Sequence, residues 1–193
     1  MRAIGDAALA EIGATGMERE FDLEVELRRF PDERAVQAMR DRIDDVTEPL
    51  LYRAAKGDKT AVRALAALCP EAVDSLLEAL TSEMPRKVPA VEALASASAL
   101  PASAADPLIA AARDSDPKVR ANAVRALGRL PPQAVSKVLA AVNRALDDAD
   151  PRVAAAARSV LQQRDSAHGR DAKNRRPLRP KRSAKQPGAG PSP

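Results

Sequence analysis

The chain has 193 residues, 45% of them apolar, and 42 are alanine, so any core is built largely from small side chains. Lys and Arg number 31 against 27 acids, and Phe21, Phe30 and Tyr52 are the only aromatic residues. A β-sandwich or barrel wants β-branched and aromatic strands, whereas Ala has the best helix propensity, and this composition excludes the first in favour of an all-α chain. One histidine, His168, and one cysteine, Cys69, leave no ligand set for zinc or haem and no intrachain disulfide; no metal or cofactor is expected, and a reducing compartment is. No run approaches the about 18 consecutive apolar residues of a membrane span, and Met1 to Glu20 lacks the apolar centre of a secretory signal. The expectation is a soluble, cytoplasmic chain without membrane contact.

Residues 1–30 read as an N-terminal cap. Phe21, Leu23, Val25 and Leu27 alternate with acids, which fits a half-buried strand, but a lone strand has no partner. The competing prediction is a helix from Gly16 to Phe30 that turns Phe21, Val25 and Phe30 toward the first helix pair.

From 31 to 163 the chain repeats itself. The block Ala61-Val62-Arg63-Ala64-Leu65 recurs as Ala90-Val91-Glu92-Ala93-Leu94, as Ala123-Val124-Arg125-Ala126-Leu127 and, degenerately, as Ala157-Arg158-Ser159-Val160-Leu161, at spacings of 29, 33 and 34. A weaker copy, Ala35-Val36-Gln37-Ala38-Met39, stands 26 residues before the first. A second series, Asp114-Ser115-Asp116-Pro117 and Asp148-Ala149-Asp150-Pro151, is offset by 34. Each period divides into two helical segments: Glu71 to Leu80 with Ala90 to Leu100, then a helix ending near Arg113 with one opened by Asp116 and Pro117, then Gln133 to Leu146 with one opened by Asp150 and Pro151. Asp as cap and Pro at the first helical position explain those starts, and Pro131-Pro132 explains a stop. Pro89 argues for starting its helix late.

Residues 164–193 hold nine basic residues and two acids, a net of +7, while residues 1–163 have 22 basic and 25 acidic residues, a net of −3. Leu178 is the only large aliphatic residue of this tail and proline recurs at 177, 180, 187, 191 and 193, so a disordered segment is expected from Arg164 onward.

Asp114 to Arg120 followed by Ala123 to Gly128 resembles a short bacterial HEAT repeat of the phycobilisome-lyase type, over roughly 31–163 and most closely in the last two units. The resemblance implies an α-solenoid of about four to five helix pairs, a right-handed superhelix whose concave face is lined by the second helices. It implies Val119 and Leu127 as core, Gly128 as a close-packing or helix-ending position, and Asp116 with Arg120 as a polar pair linking neighbouring repeats. Asp150, Pro151, Val153 and Leu161 continue the pattern in the last unit. There Ala154 replaces Arg120 and Val160 to Gln163 replace Ala126 to Arg129, as a terminal repeat without a successor tolerates.

No catalytic site is expected. His168 has no orienting partner, Cys69 has no neighbouring base, and Asp44-Asp45 and Asp147-Asp148-Asp150 lie where helices begin or end, as capping predicts. HEAT-like DNA glycosylases use Trp and Tyr, and hydroxylases of the repeat class need paired His-Glu motifs; this chain has no Trp and one His. Nothing specifies a bilin site.

The leading functional expectation is a non-catalytic scaffold or adaptor that binds a protein along the concave face. The alternative is a nucleic-acid-associated accessory tethered by Lys173, Arg175, Arg176, Arg179, Lys181, Arg182 and Lys185, whose contacts would be salt-dependent and indifferent to sequence. A third reading is a lyase or DNA-repair enzyme of a HEAT-like family. The solenoid itself would repel nucleic acid unless its cations segregate to one face; Arg63, Arg125, Arg129 and Arg158 are the candidates for such a stripe, interrupted by Glu92. The Ala and Arg richness also fits a high-GC bacterial coding bias.

Overall fold

The computed structural model describes residues 21–82 and 85–174, and these form ten α-helices, two 3-10 turns and no strand. In chain order the helices are α1 Leu23–Arg29, α2 Glu33–Arg40, α3 Ile43–Ala55, α4 Lys59–Ala67, α5 Val73–Thr81, α6 Lys87–Ser96, α7 Ala105–Ala111, α8 Pro117–Leu127, α9 Val135–Ala145 and α10 Pro151–Asn174. Helix α3 packs on α4, α5 on α6, α7 on α8 and α9 on α10, giving four helix pairs. The second helices α4, α6, α8 and α10 also pack on one another in series, while α5, α7 and α9 form the row outside them. This is an all-α solenoid.

The stack closes on aliphatic side chains of the repeated blocks. Ala61, Ala64 and Leu65, their counterparts Ala90, Ala93 and Leu94, and Ala123, Ala126 and Leu127 are all fully buried. Small residues let neighbouring helices approach, and each leucine then contributes about 1.5–3 kcal/mol of burial. Helix α6 is buried almost all round, with Pro89, Ala90, Val91, Ala93, Leu94 and Ala95 inside, because it has partners on both sides and its own first helix beneath. A left-handed glycine, Gly57 at φ 93°, ends α3 and turns the chain into α4.

Several boundaries differ from the sequence reading. Helix α6 begins at Lys87 rather than Ala90 and stops at Ser96 rather than Leu100. Pro89 is thus its third residue, where the N–H has no intrahelical acceptor anyway, so the proline costs no hydrogen bond. The predicted Gln133 to Leu146 helix is a 3-10 turn, Pro132–Ala134, leading into α9. Residues 23–29 are helical, in place of the strand alternative: Asp22 accepts from the Glu24 N–H as N-cap, Leu27 is buried, and Phe21, Leu23 and Phe30 pack partly buried against the core. Helix α10 runs past the boundary expected near Gln163 to Asn174. Residues 164–174 contain no proline, and propagating an existing helix costs far less than nucleating one. Lys173 and His168 fall within that extension; Arg175, Arg176, Arg179, Lys181, Arg182 and Lys185, with residues 1–20, lie outside the described residues.

The seams between second helices follow one register. Gly128 approaches α10 so closely that a Cβ added there would lie 3.0 Å from Val160 Cγ2 and 3.0 Å from the Arg125 carbonyl oxygen. Ala121 and Val124 lie on the same stripe of α8, three and four residues apart, and both are buried. One repeat earlier that stripe is Val88, Val91 and Ala95; one repeat later it is Ala155, Arg158 and Gln162, all exposed. The apolar seam ends at α10. Among the described residues no helix is long and apolar enough to cross a membrane.

Candidate interaction surface

The Asp-x-Asp-Pro motif divides its labour between two carboxylates. The second aspartate is the cap: Asp116 accepts from the Lys118 N–H at 2.7 Å and Asp150 from the Arg152 N–H at 2.8 Å, each with proline opening the helix. The first aspartate holds the loop and receives a cation from the preceding repeat. Asp148 accepts the Asp150 N–H at 2.9 Å and a two-pronged bond from Arg120, Nε to Oδ2 at 2.9 Å and Nη2 to Oδ1 at 2.8 Å. Asp114 accepts the Asp116 N–H at 2.9 Å and the Lys87 ammonium at 2.9 Å.

Lys87 stands 33 residues before Arg120 and Asp114 stands 34 before Asp148, so the two ion pairs are successive rungs of one ladder. Arg120 does link neighbouring repeats, but its carboxylate is Asp148, not the Asp116 expected from the resemblance; Asp116 is occupied by its own helix. Arg120 also donates Nη1 to the carbonyls of Asp114 and Ser115, at 3.0 Å each, tying the loop before α8 to the loop before α10. The hydrogen bonds from Arg120 and from the Asp150 N–H hold the Asp148 carboxyl below the usual carboxylate range. At Asp114 burial acts upward, but the donors Asp116 N–H and Lys87 outweigh it and the net shift is also downward. Ala154, in the register of Arg120, carries no cation onward.

Other sequence candidates resolve as structural. Cys69 is buried with its Sγ on the Leu65 carbonyl, and burial, with the Glu71 charge, pushes the thiol up to about 11, so it is no thiolate at neutral pH. Asp44 and Asp45 lie in the first turn of α3, where the positive end of the helix favours them. Val119, Leu127 and Val153 are fully buried and Leu161 is half-buried against the core. Among the described residues no group of His, Cys, Asp and Glu is arranged to hold a metal ion.

What remains for recognition is the exposed row of the second helices. Arg63 on α4, Glu92 on α6 and Arg125 on α8 occupy one register and all three are exposed, as is Ser159 in the same register of α10. Lys118 extends the exposed stripe of α8 at its start, and Arg129 is exposed in the turn after its end. Arg125 donates only to Asn122 and Arg129 to the Ala95 carbonyl, neither to a carboxylate. Arg158, by contrast, lies on the end seam of α10 and not in this stripe. Three of the first helices carry exposed acids, Asp44, Asp45, Glu48, Asp74, Glu78 and Asp106 on α3, α5 and α7, whereas α9 carries exposed Lys137 and Arg144. The exposed acids of α3, α5 and α7 therefore lie on the row opposite Arg63 and Arg125, which the linear sequence could show only once the two helices of each pair were assigned.

Residues 73–162 match the family model for HEAT repeats. This segment is a HEAT-repeat array. The matched span runs from the first residue of α5 into α10, so it contains both ion-pair rungs and the stripe on α6 and α8. No match is found among curated proteins. Among solved structures, the chain is similar to two engineered proteins determined by crystallography: one at 20% identity and TM-score 0.44, covering 81% of this chain and 49% of the other, and one at 22% identity and TM-score 0.42, covering 73% and 61%. The chain thus spans about half the length of the first of these engineered proteins and about three-fifths of the second.

Proposed function

We propose that the protein is a non-catalytic HEAT scaffold that holds a protein partner on the exposed row of its second helices. The observation that carries this reading is the separation of tasks along those helices. Positions such as Ala123, Ala126 and Leu127 build the stack, while Arg63, Arg125 and Glu92 face outward and are free to vary without disturbing it. A rigid, repeated core beneath a variable outer row suits extended recognition better than chemistry, which needs convergent groups in an enclosed pocket.

Site-specific photo-crosslinking tests it. A photoreactive residue at Ser96 or Gln163, both exposed on second helices, is expected to trap a polypeptide in cells, whereas one at Ser75 on α5 is not. Equal trapping from both rows, or none from the second helices, would remove this surface from the proposal. If the crosslinked material proves to be nucleic acid and disappears when the cations from Lys173 to Lys185 are replaced by glutamine, the tether reading replaces it.

A further inference from the structure

Six carboxylates are exposed on α3, α5 and α7, yet the outward register of α4, α6 and α8 holds Arg63, Lys118, Arg125 and Arg129 against the single Glu92. The cations of the second-helix row that do have carboxylate partners, Lys87, Arg120 and Arg152, are those engaged at loops. The exposed ones are left uncompensated: neither Arg63 nor Lys118 has a side-chain partner among the described residues. The exposed row of the second helices thus presents cations that no carboxylate of the described residues neutralises. The neighbours are small or neutral, Ser96, Asn122 and Ser159, so an approaching main chain can come close.

We infer that this face takes an acidic polypeptide segment, whose carboxylates pair with Arg125 on α8, with Arg129 in the turn that follows it and with Arg63 on α4. The inference rests on the scaffold reading and gives its partner a chemistry. Arginine matches a carboxylate with two parallel donors, which makes these positions suited to Asp and Glu side chains. Three observations favour an acidic peptide over nucleic acid. The stripe has no aromatic side chain on which a base could stack; the one exposed aromatic, Tyr52, is on α3. Glu92 sits between Arg63 and Arg125, opposing a continuous phosphate backbone, whereas a peptide can leave a neutral or basic residue at that point. Successive helices lie about 8–10 Å apart, a distance that an extended chain covers in about three residues. A segment reading acid, then neutral or basic, then acid at intervals of about three residues would match the sequence Arg63, Glu92, Arg125 across the array.

The test compares three full-length proteins that share the same basic C-terminal segment, so its contribution cancels: wild type, Arg125→Gln with Arg129→Gln, and Glu92→Gln. The probe is a fluorescein-labelled oligoglutamate peptide, read by anisotropy at low and high salt, with duplex DNA as the second probe. Expected is a loss of peptide affinity of about tenfold or less in the arginine variant, a tightening of up to about threefold in Glu92→Gln, and decay of all differences at high salt. All three substituted side chains are exposed and only Arg129 makes an inter-repeat contact, a long hydrogen bond to the Ala95 carbonyl, so melting curves should differ little. Equal peptide affinities in the three proteins would overturn the inference. So would DNA binding tighter than peptide binding and lost in the arginine variant, or a concentration-dependent self-association lost in that variant, which would make the occupant a second copy. A crosslink from Ser96 to a partner segment without acidic residues would sink this inference while leaving the scaffold reading in place.

Discussion

Helices α8 and α10 are copies of one element with opposite obligations. On α8, Ala121 and Val124 are buried and Gly128, its C-cap, closes on Val160 of α10; on α10 the same register reads Ala155, Arg158 and Gln162 and is exposed. On α8, Arg120 reaches forward to Asp148; on α10, Ala154 reaches for nothing. Two residues, a valine exchanged for an arginine and a glycine for a glutamine, convert a surface that recruits the next repeat into one that refuses it. Growth of a helical array is thus controlled at single positions, and the polar outer face required of a terminal repeat is visible residue by residue.

The comparison breaks most severely if the terminal chemistry is moved inward. Val124→Arg places a charge at a position with no solvent exposure, and a loss of about 3–5 kcal/mol is expected, enough to uncouple α9 and α10 from the rest. Differential scanning calorimetry should show a broadened or divided transition; an intact single transition at the wild-type temperature would mean that the seam is elsewhere. Gly128→Leu attacks the same contact by volume. Its Cβ would already stand 3.0 Å from Val160, so overpacking of about 1–3 kcal/mol is expected from urea unfolding.

Asp148→Asn removes the charge from the rung and should cost about 1–2 kcal/mol at neutral pH. The sign of its pH dependence follows from the lowered carboxyl pKa values of Asp148 and Asp114. Stability from these groups is fully present above the unfolded aspartate value of about 3.9 and is lost as pH falls through the lower folded values. Wild type should therefore lose stability steeply below about pH 4, and the variant less steeply. Parallel acid profiles would show that the rung does not contribute. The smallest effect on stability, but the most direct test of the comparison, is the reverse exchange. Arg158→Val with Gln162→Gly should lower the melting temperature by only a few degrees, the helix cost of an interior glycine, while exposing an apolar strip, and sedimentation velocity should detect new end-to-end association.

The sequence disclosed most of the architecture because its period is written in the residues that touch: the Ala-Val-x-Ala-Leu blocks are buried, and the Asp-Pro starts of α8 and α10 fall where capping places them. It misled where two principles competed. Pro89 argued for a late start of α6, but the first turn of a helix needs no N–H acceptors. Residues 164–174 looked too polar to order, yet they follow a helix already nucleated and lack proline. The ladder was half legible. Arg120 and the first aspartates repeat at 33 and 34 residues, but assigning Asp116 as the partner of Arg120 overlooked that a capping carboxylate is already committed to its own helix. The charge segregation needed the fold, since Arg63 and Glu78 are close in sequence but lie on opposite rows.

The rungs also bear on how such a chain can change length. Lys87 and Arg120 stand in one register, as do Asp114 and Asp148, so either cation fits either acceptor. Excising one period between them would bring Lys87 to Asp148 and reproduce a joint already present, and duplicating that period would add an Arg120-to-Asp114 joint of the same kind. The coupling is interchangeable: whole units can be gained or lost in evolution with the joints conserved, and only the last helix must keep its arginine and glutamine.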